Sequence, residues 1–127
     1  MELDSKHTVL FAVYSEYQKD IPDMRNITPD LLKMERRVFN IACVKLENED
    51  FIKKLRISFF QGDKEPRTVN LENVMPTHHG IEYVETKLEL DRMGTGQKKL
   101  RQLKEKFSSF SWNVLQDVVD EILSEIK

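Results

Sequence analysis

The one cysteine of the chain is the first residue to test for chemistry, because a thiolate is an intrinsically strong nucleophile. Cys43 with His7 would supply a nucleophile and a base. The thiol lies, however, in a segment where Phe39, Cys43 and Leu46 recur at helical spacing, which predicts that Cys43 faces the core. Buried structural thiols are inert. We therefore interpret Cys43 as a core residue. A lone cysteine also excludes an internal disulfide and favours a reducing cytosol.

Two other motifs were tested for metal or phosphate chemistry. Neighbours in a helix point about 100° apart, so His78 and His79 cannot both face one metal ion, and no cluster of acids or thiols completes a ligand set. The glycine-rich run over residues 94–99 lacks the spacing of a phosphate-binding loop and is predicted to be a flexible linker before a helix. No enzyme signature remains, so we expect a non-enzymatic protein with no metal and no cofactor.

The charged residues are distributed unevenly. Among 127 residues, 20 are Lys or Arg and 22 are Asp or Glu, and the net charge of −2 provides no global attraction to nucleic acid. Residues 33–67 nevertheless contain nine basic and six acidic side chains, and residues 92–110 contain six basic and one acidic. A local basic face is therefore compatible with the acidic chain as a whole.

The helix predicted over residues 35–48 carries side chains suited to reading DNA. Its solvent face would present Arg37, Ile41, Val44 and Asn48, and arginine and asparagine recognise guanine and adenine edges. Basic residues of the following segment would contact phosphates. The candidate DNA-binding residues are Arg36, Arg37, Asn40, Val44, Lys45, Lys54, Arg56, Lys64 and Arg67.

The same helix allows two other interpretations. Ile41 and Val44 place β-branched apolar groups in the middle of the face that would meet bases. These groups could touch thymine methyls, but they suit a protein partner equally well. An amphipathic helix with incidental charges remains the third possibility.

The elements that would position these residues follow from hydrophobic spacing. Asp4 or Ser5 caps a helix to about Lys19, whose stripe is Leu10, Val13, Tyr14 and Tyr17. Thr28 followed by proline predicts a short helix over residues 29–34, before the helix over 35–48. Alternating Leu55, Ile57 and Phe59 predict one strand face, and Val69 and Leu71 a return strand after a polar turn over 61–67. Thr77 caps a further helix with Ile81, Val84 and Leu88 inward.

Two helices joined by a tight turn and followed by a hairpin make a winged helix-turn-helix. The runs "ITPDLLKMERRVFNIACVKLENEDFI", "VNLEN" and "PTHHGIEYVETKL" resemble the YjcQ-type winged-helix family of Gram-positive bacteria and their phages. The resemblance covers about residues 4–90, and departs at Asp50, where glycine is usual, and at Cys43, where alanine is commoner. It rests on Phe39, Cys43, Leu46, Glu49, Phe51 and Ile52 in the helix-strand junction, and on Thr77, Gly80, Tyr83 and Val84 in the following helix.

The C-terminal segment carries an assembly signal. Leu100, Leu103 and Phe107 recur at helical spacing, and Ser111 is a predicted N-cap after a serine-rich break. A second stripe then repeats at alternating spacings of three and four, like the seam of a coiled coil. Its members are Trp112, Leu115, Val119, Ile122 and Ile126. The seam would either fold back on the first domain or form a homodimer interface.

The sequence thus predicts a mostly helical α+β chain. Residues 1–91 would form a winged helix-turn-helix domain, and residues 92–127 a C-terminal helical extension that could dimerise. The resemblance implies a phage or prophage transcriptional regulator that binds double-stranded DNA. The alternative is a phage accessory protein that uses the same fold to bind a host or phage protein through Ile41 and Val44. No apolar run approaches membrane-spanning length and the N-terminus lacks a signal-peptide pattern, so we expect a cytoplasmic protein.

Overall fold

A computed structural model describes residues 2–126, so that Met1 and Lys127, the ends of the two predicted domains, lie outside the described residues. Within this range the chain is mostly helical with short antiparallel strand pairs, which confirms the predicted class. The helices are α1 (Ser5–Tyr17), α2 (Arg36–Asn48), α3 (His78–Lys87), α4 (Gly96–Ser109) and α5 (Asn113–Glu125), and a 3-10 turn covers Met24–Asn26. The strands are β1 (Ile52–Lys53), β2 (Arg56–Ser58), β3 (Thr68–Asn70) and β4 (Met75–Pro76).

The strands form two separate antiparallel pairs. In the β2–β3 hairpin, Ile57 pairs with Val69, and both side chains are half-buried. In the other pair, Ile52 of β1 lies opposite Pro76 of β4. Phe59 was predicted to continue the apolar face of the first strand, but β2 ends at Ser58 and the Phe59 side chain is 56% exposed. That prediction is wrong, because the chain leaves the sheet one residue before it.

Helix α1 lies at the centre of the molecule. The sequence predicted one apolar stripe, but every residue from Thr8 to Glu16 is buried. Helix α2 packs against one side of α1, and α3, α4 and α5 cover the others. A helix that is apolar around its whole circumference is stable only when it is surrounded in this way.

The predicted dimer seam is part of this core. Leu115 and Val119 are fully buried and Ile122 is 3% exposed, while the Trp112 ring stacks on Phe11 of α1 at 5.8 Å between ring centroids. Half-buried Ile126 packs against the same cluster. The assignment of this stripe to a homodimer interface is therefore wrong, because α1 and α4 of the same chain cover it. The hydrophobic core is continuous across the predicted boundary near residue 91.

The prediction of a short helix over residues 29–34 is also wrong. The chain makes hydrogen-bonded turns there, in which the Met34 N–H donates to the Pro29 carbonyl at 3.0 Å and the Leu31 N–H donates to Thr28 Oγ1 at 3.1 Å. Lys33 has a φ of 52°, in the left-handed region, which prevents the turns from continuing as a helix. The buried Leu32 still anchors the segment.

Helix α2 ends in a left-handed turn at Asp50. Asp50 has a φ of 64°, and the Phe51 N–H donates to the Leu46 carbonyl at 2.8 Å, as in helix ends closed by a left-handed residue. Phe39 is 2% exposed, which confirms its predicted place in the core. Thr77 caps α3 and its hydroxyl also donates to the Asp50 carbonyl at 2.5 Å. The stop of α2 and the start of α3 are thus one hydrogen-bonded unit.

The residues directly before α4 and α5 have different roles at the two helix starts. Thr95 caps α4, and Gly96 lies so close to the Gln18 carbonyl that a β-carbon there would be 2.2 Å from its oxygen. The glycine therefore permits close packing of α4 on the end of α1. Ser111 was predicted to cap α5, but Trp112 is the N-cap residue and Ser111 has a φ of 59°. Ser111 reverses the chain between the two helices instead of capping.

Candidate nucleic-acid interface

The first turn of α2 faces the loop of the β2–β3 hairpin across an open groove, here called the α2–hairpin groove. Its lining contains four cations and three carboxylates. The lining residues are Glu35, Arg36, Arg37, Asn40, Asp63, Lys64, Glu65, Pro66 and Arg67. Five of the predicted DNA-binding residues are therefore brought together by two elements distant in sequence: Arg36, Arg37, Asn40, Lys64 and Arg67.

The start of α2 is unusually electropositive. Arg36 and Arg37 occupy its first two positions, its first turn contains no acidic residue, and the N-cap residue Glu35 makes no side-chain cap hydrogen bond. The first backbone N–H groups of a helix have no partner within the helix, and the helix dipole adds partial positive charge at that end. Anions are therefore favoured here, and the chain places the exposed carboxylate of Glu35 beside two cations.

Two of the four cations are partly neutralised within the groove. Arg37 donates from Nε to Glu65 Oε1 at 2.5 Å and from Nη2 to Oε2 at 3.2 Å. Arg67 donates to both carboxylate oxygens of Asp63, at 3.2 and 2.9 Å, and this hydrogen bonding lowers the pKa of Asp63. By contrast, Arg36 and Lys64 make no ion pair with any residue between 2 and 126.

Asn40 does not have the predicted exposure. The residue is 5% exposed, and its Nδ2 donates to the backbone carbonyl of Arg67 at 3.3 Å. The prediction that Asn40 reads an adenine edge is therefore wrong, because its amide is used within the chain. The Asn40 side chain instead joins α2 to the hairpin. This hydrogen bond fixes the distance between the two walls of the groove.

The outward face of α2 combines charged and apolar side chains. Lys45 is exposed, Ile41 and Val44 are half-buried, and Val38 is 39% exposed. A shallow groove between this face and the start of α1 is lined by residues 4–6 together with Val38, Ile41, Ala42 and Lys45. Val38 was not among the predicted site residues, although its helical spacing from Ile41 and Lys45 places it on the same face.

Lys54 and Arg56 lie elsewhere. Both line a separate open cavity of about 620 Å³, whose other walls include Tyr17, Met24 and Val74. Lys54 has a φ of 67°, and the turn is held by the Leu55 N–H, which donates to Glu47 Oε2 at 2.8 Å. Neither residue lines the α2–hairpin groove, and the DNA-binding role of both stays a prediction.

The side chains tested for catalysis and metal binding have structural roles. Cys43 is fully buried, and burial raises the pKa of its thiol to about 12. His78 lies 3.1 Å from Glu82, and the ring of His79 stacks on Phe51. Within residues 2–126, no three His, Cys, Asp or Glu side chains are close enough together to hold a metal ion.

Sequence reasoning missed two polar clusters that stabilise α1. Buried Glu85 accepts hydrogen bonds from the Tyr14 hydroxyl at 2.8 Å and from Lys99 at 2.7 Å. Burial, and next the hydrogen bond to Glu85, raise the pKa of Tyr14. His7 lies between Asp4 and Tyr83, with its ring nitrogens 2.7 and 2.6 Å from their oxygens. The only sequence signal for the first cluster is that Glu85 directly follows the inward-facing Val84.

None of the helices within residues 2–126 combines the length and the apolar character needed to cross a membrane.

Comparison with known proteins adds no assignment: no protein-family model, no curated protein and no solved structure matches the chain.

Proposed function

We propose that the chain is a non-enzymatic winged-helix protein that binds double-stranded DNA through α2 and the β2–β3 hairpin, as a phage or prophage transcriptional regulator. The observation that carries the proposal is the start of α2. Arg36 and Arg37 occupy the first two positions of the helix, and the acidic N-cap residue, Glu35, leaves the first N–H groups without a side-chain cap hydrogen bond.

A bound phosphate group would supply the negative charge that this helix start favours. Uncapped N–H groups at a helix start bind phosphate oxygens, and helix N-termini are frequent phosphate contacts in DNA complexes. Arg36 on α2 and Lys64 on the hairpin loop both line the α2–hairpin groove, and neither forms an ion pair with a carboxylate among residues 2–126. A phosphate in the groove would be contacted by both residues and would gain the favourable end of the helix dipole.

The outward face of α2 would then enter the major groove. Arg37 would exchange Glu65 for a phosphate or a guanine edge, and Val44 would contact a thymine methyl group. The hairpin loop would lie along the backbone beside the helix, as the wing does in a winged helix-turn-helix. This arrangement is the one that the resemblance of residues 4–90 to the YjcQ-type family would imply.

Fluorescence anisotropy with labelled genomic fragments tests the proposal. Affinity should fall as salt increases, with a logarithmic slope of about −0.9 for each phosphate contacted. Arg36→Ala should weaken binding to all fragments and make the slope shallower by about one. Arg101→Ala is the matched control, because Arg101 is exposed on α4 and lies far along the chain from the groove. Absence of binding at low salt, or equal effects of both substitutions, would contradict the proposal.

A protein partner is the second candidate function. It is favoured by the exposure of Val38 beside Ile41, since this forms an apolar patch on the outward face of α2. Ile41→Ser should then abolish partner binding while leaving the salt-dependent DNA affinity nearly unchanged. A DNA reader would instead be more sensitive to Arg36→Ala than to Ile41→Ser.

A further inference from the structure

We propose that the tip of the β2–β3 hairpin is a stacking platform for unpaired nucleobases. The proposal rests on the DNA-binding function above and adds a preference for DNA that contains a single-stranded segment. The platform consists of Phe59 and Phe60, the first two residues after β2.

The two rings are exposed where aromatic side chains are normally covered. Phe59 is 56% exposed and Phe60 is 58% exposed, although the chain has a continuous core elsewhere that buries Phe11, Phe39 and Phe107. Exposed aromatic surface is unfavourable in water, and adjacent exposed rings at a hairpin tip are characteristic of a contact surface. Neither residue contributes to the strand pairing, which ends at Ser58.

The tip is held in one conformation before any ligand arrives. The Phe60 N–H donates to Asp63 Oδ2 at 2.9 Å, and the Asp63 N–H donates to the Phe60 carbonyl at 3.0 Å. Gly62, with a φ of 89°, allows the chain to reverse between them. A preformed tip loses little conformational entropy when it binds.

One face of the Phe60 ring is already occupied by a cation. The Arg67 guanidinium lies 4.2 Å from the ring centroid and is fixed there by its two hydrogen bonds to Asp63. A base stacked on the other face would complete a layer of guanidinium, ring and base. Aromatic rings and arginine planes are the groups on which proteins stack unpaired bases.

The surrounding charge identifies a nucleic acid as the occupant. Lys64 is four residues from Phe60 and has no ion-pair partner among the described residues, and the basic start of α2 lies across the groove. The acids of the loop, Asp63 and Glu65, are engaged by Arg67 and Arg37. Aromatic surface flanked by free cations matches bases joined by phosphates. Bases in an intact duplex are already stacked on each other, so the platform requires unpaired ones.

The test compares two DNA ligands by fluorescence anisotropy. One is a blunt duplex, and the other is the same duplex with a few nucleotides removed from one strand, which leaves unpaired bases opposite the gap. The wild-type protein should bind the gapped DNA about tenfold more tightly. The double substitution Phe59→Leu and Phe60→Leu should abolish that preference, so that the variant binds both DNAs with equal affinity, because leucine keeps apolar bulk but has no π-face.

Phe110→Leu is the matched control. Phe110 is 45% exposed and follows α4, outside the hairpin, so its substitution should not affect either affinity. Equal wild-type affinity for both DNAs would overturn the stacking platform and leave the DNA-binding function standing. Absence of binding to either DNA would overturn both proposals. An unchanged preference in the double variant would also overturn the platform, and would place the contact with unpaired bases elsewhere.

Discussion

Glu65 shows how a single residue can limit binding in this site. Its carboxylate forms two hydrogen bonds with Arg37 and lies at the edge of the α2–hairpin groove. The pair is exposed, so its contribution to stability is small. In the proposed DNA complex its effect would be larger, because Glu65 would repel a phosphate and occupies the arginine that would bind it.

Substitution Glu65→Gln should therefore strengthen DNA binding, by about three- to tenfold at low salt, because a free Arg37 becomes available and one repulsive charge is removed. The increase should shrink as salt concentration rises. Glu105→Gln removes the same charge from an exposed position on α4 and should have a smaller effect. Anisotropy titrations at two salt concentrations distinguish the two variants, and an equal increase in both would show that only net charge matters.

At the scale of elements, hydrogen bonds and one close backbone contact join α2, β1 and α3. The Thr77 hydroxyl joins the start of α3 to the carbonyl of Asp50, and the Thr77 N–H donates to the Phe51 carbonyl at 3.0 Å. This arrangement brings α3 against the backbone of Phe51 at Gly80. Only glycine fits, because a β-carbon at Gly80 would lie 2.2 Å from the Phe51 oxygen.

Gly80→Ala should consequently destabilise the protein by about 1–3 kcal/mol, since the backbone must shift to admit one methyl group. Thermal denaturation followed by circular dichroism measures the effect. Gly94→Ala is the milder comparison, because its β-carbon would meet the flexible Lys98 Cδ at 3.1 Å and the Asp91 carbonyl oxygen at 3.2 Å, both much farther than 2.2 Å. Equal melting temperatures for the Gly80 variant and the wild type would show that α3 does not depend on this close approach.

At the scale of the whole molecule, α5 completes the core instead of leaving a surface for a second copy. Its stripe covers α1 and packs beside α4, and Trp112 contacts Phe11 and Phe107. DNA binding as proposed therefore requires no two-fold symmetry of the protein. A single copy would occupy a binding site that need not be palindromic.

Val119→Asp should unfold the protein rather than separate subunits, because the substitution buries an unpaired carboxylate in a fully buried position. We expect a loss of about 3–5 kcal/mol, a large part of the stability of a small domain. Circular dichroism would show reduced helix content, and sedimentation velocity should find the wild type as a monomer. Asn113→Asp adds the same charge at the exposed start of α5 and should be harmless. A folded Val119→Asp monomer derived from a wild-type dimer would contradict this view.

Local patterns in the sequence determined much of the secondary structure. The caps Asp4, Thr77 and Thr95, the stop at Asp50 and the buried positions of Phe39 and Cys43 each depend on interactions within a few residues or on one helical face. The recurrence of apolar residues likewise located α2 to within one residue at each end, and the cap Thr77 located the start of α3. Such signals are available from the chain before it folds.

Tertiary structure decided which helix faces are exposed to solvent. The apolar stripe of α5 has the same spacing in a helix buried within one chain and in a dimer seam. Only packing against α1 distinguishes the two, because burial depends on residues about a hundred positions away. Asn40 follows the pattern of a solvent-facing residue, but the hairpin of residues 56–70 covers it and takes its hydrogen bond. The pairing of Arg37 with Glu65 spans 28 residues, and no local spacing contains it. Contacts between distant segments, which the chain makes only on folding, therefore determined the groove in which we place DNA.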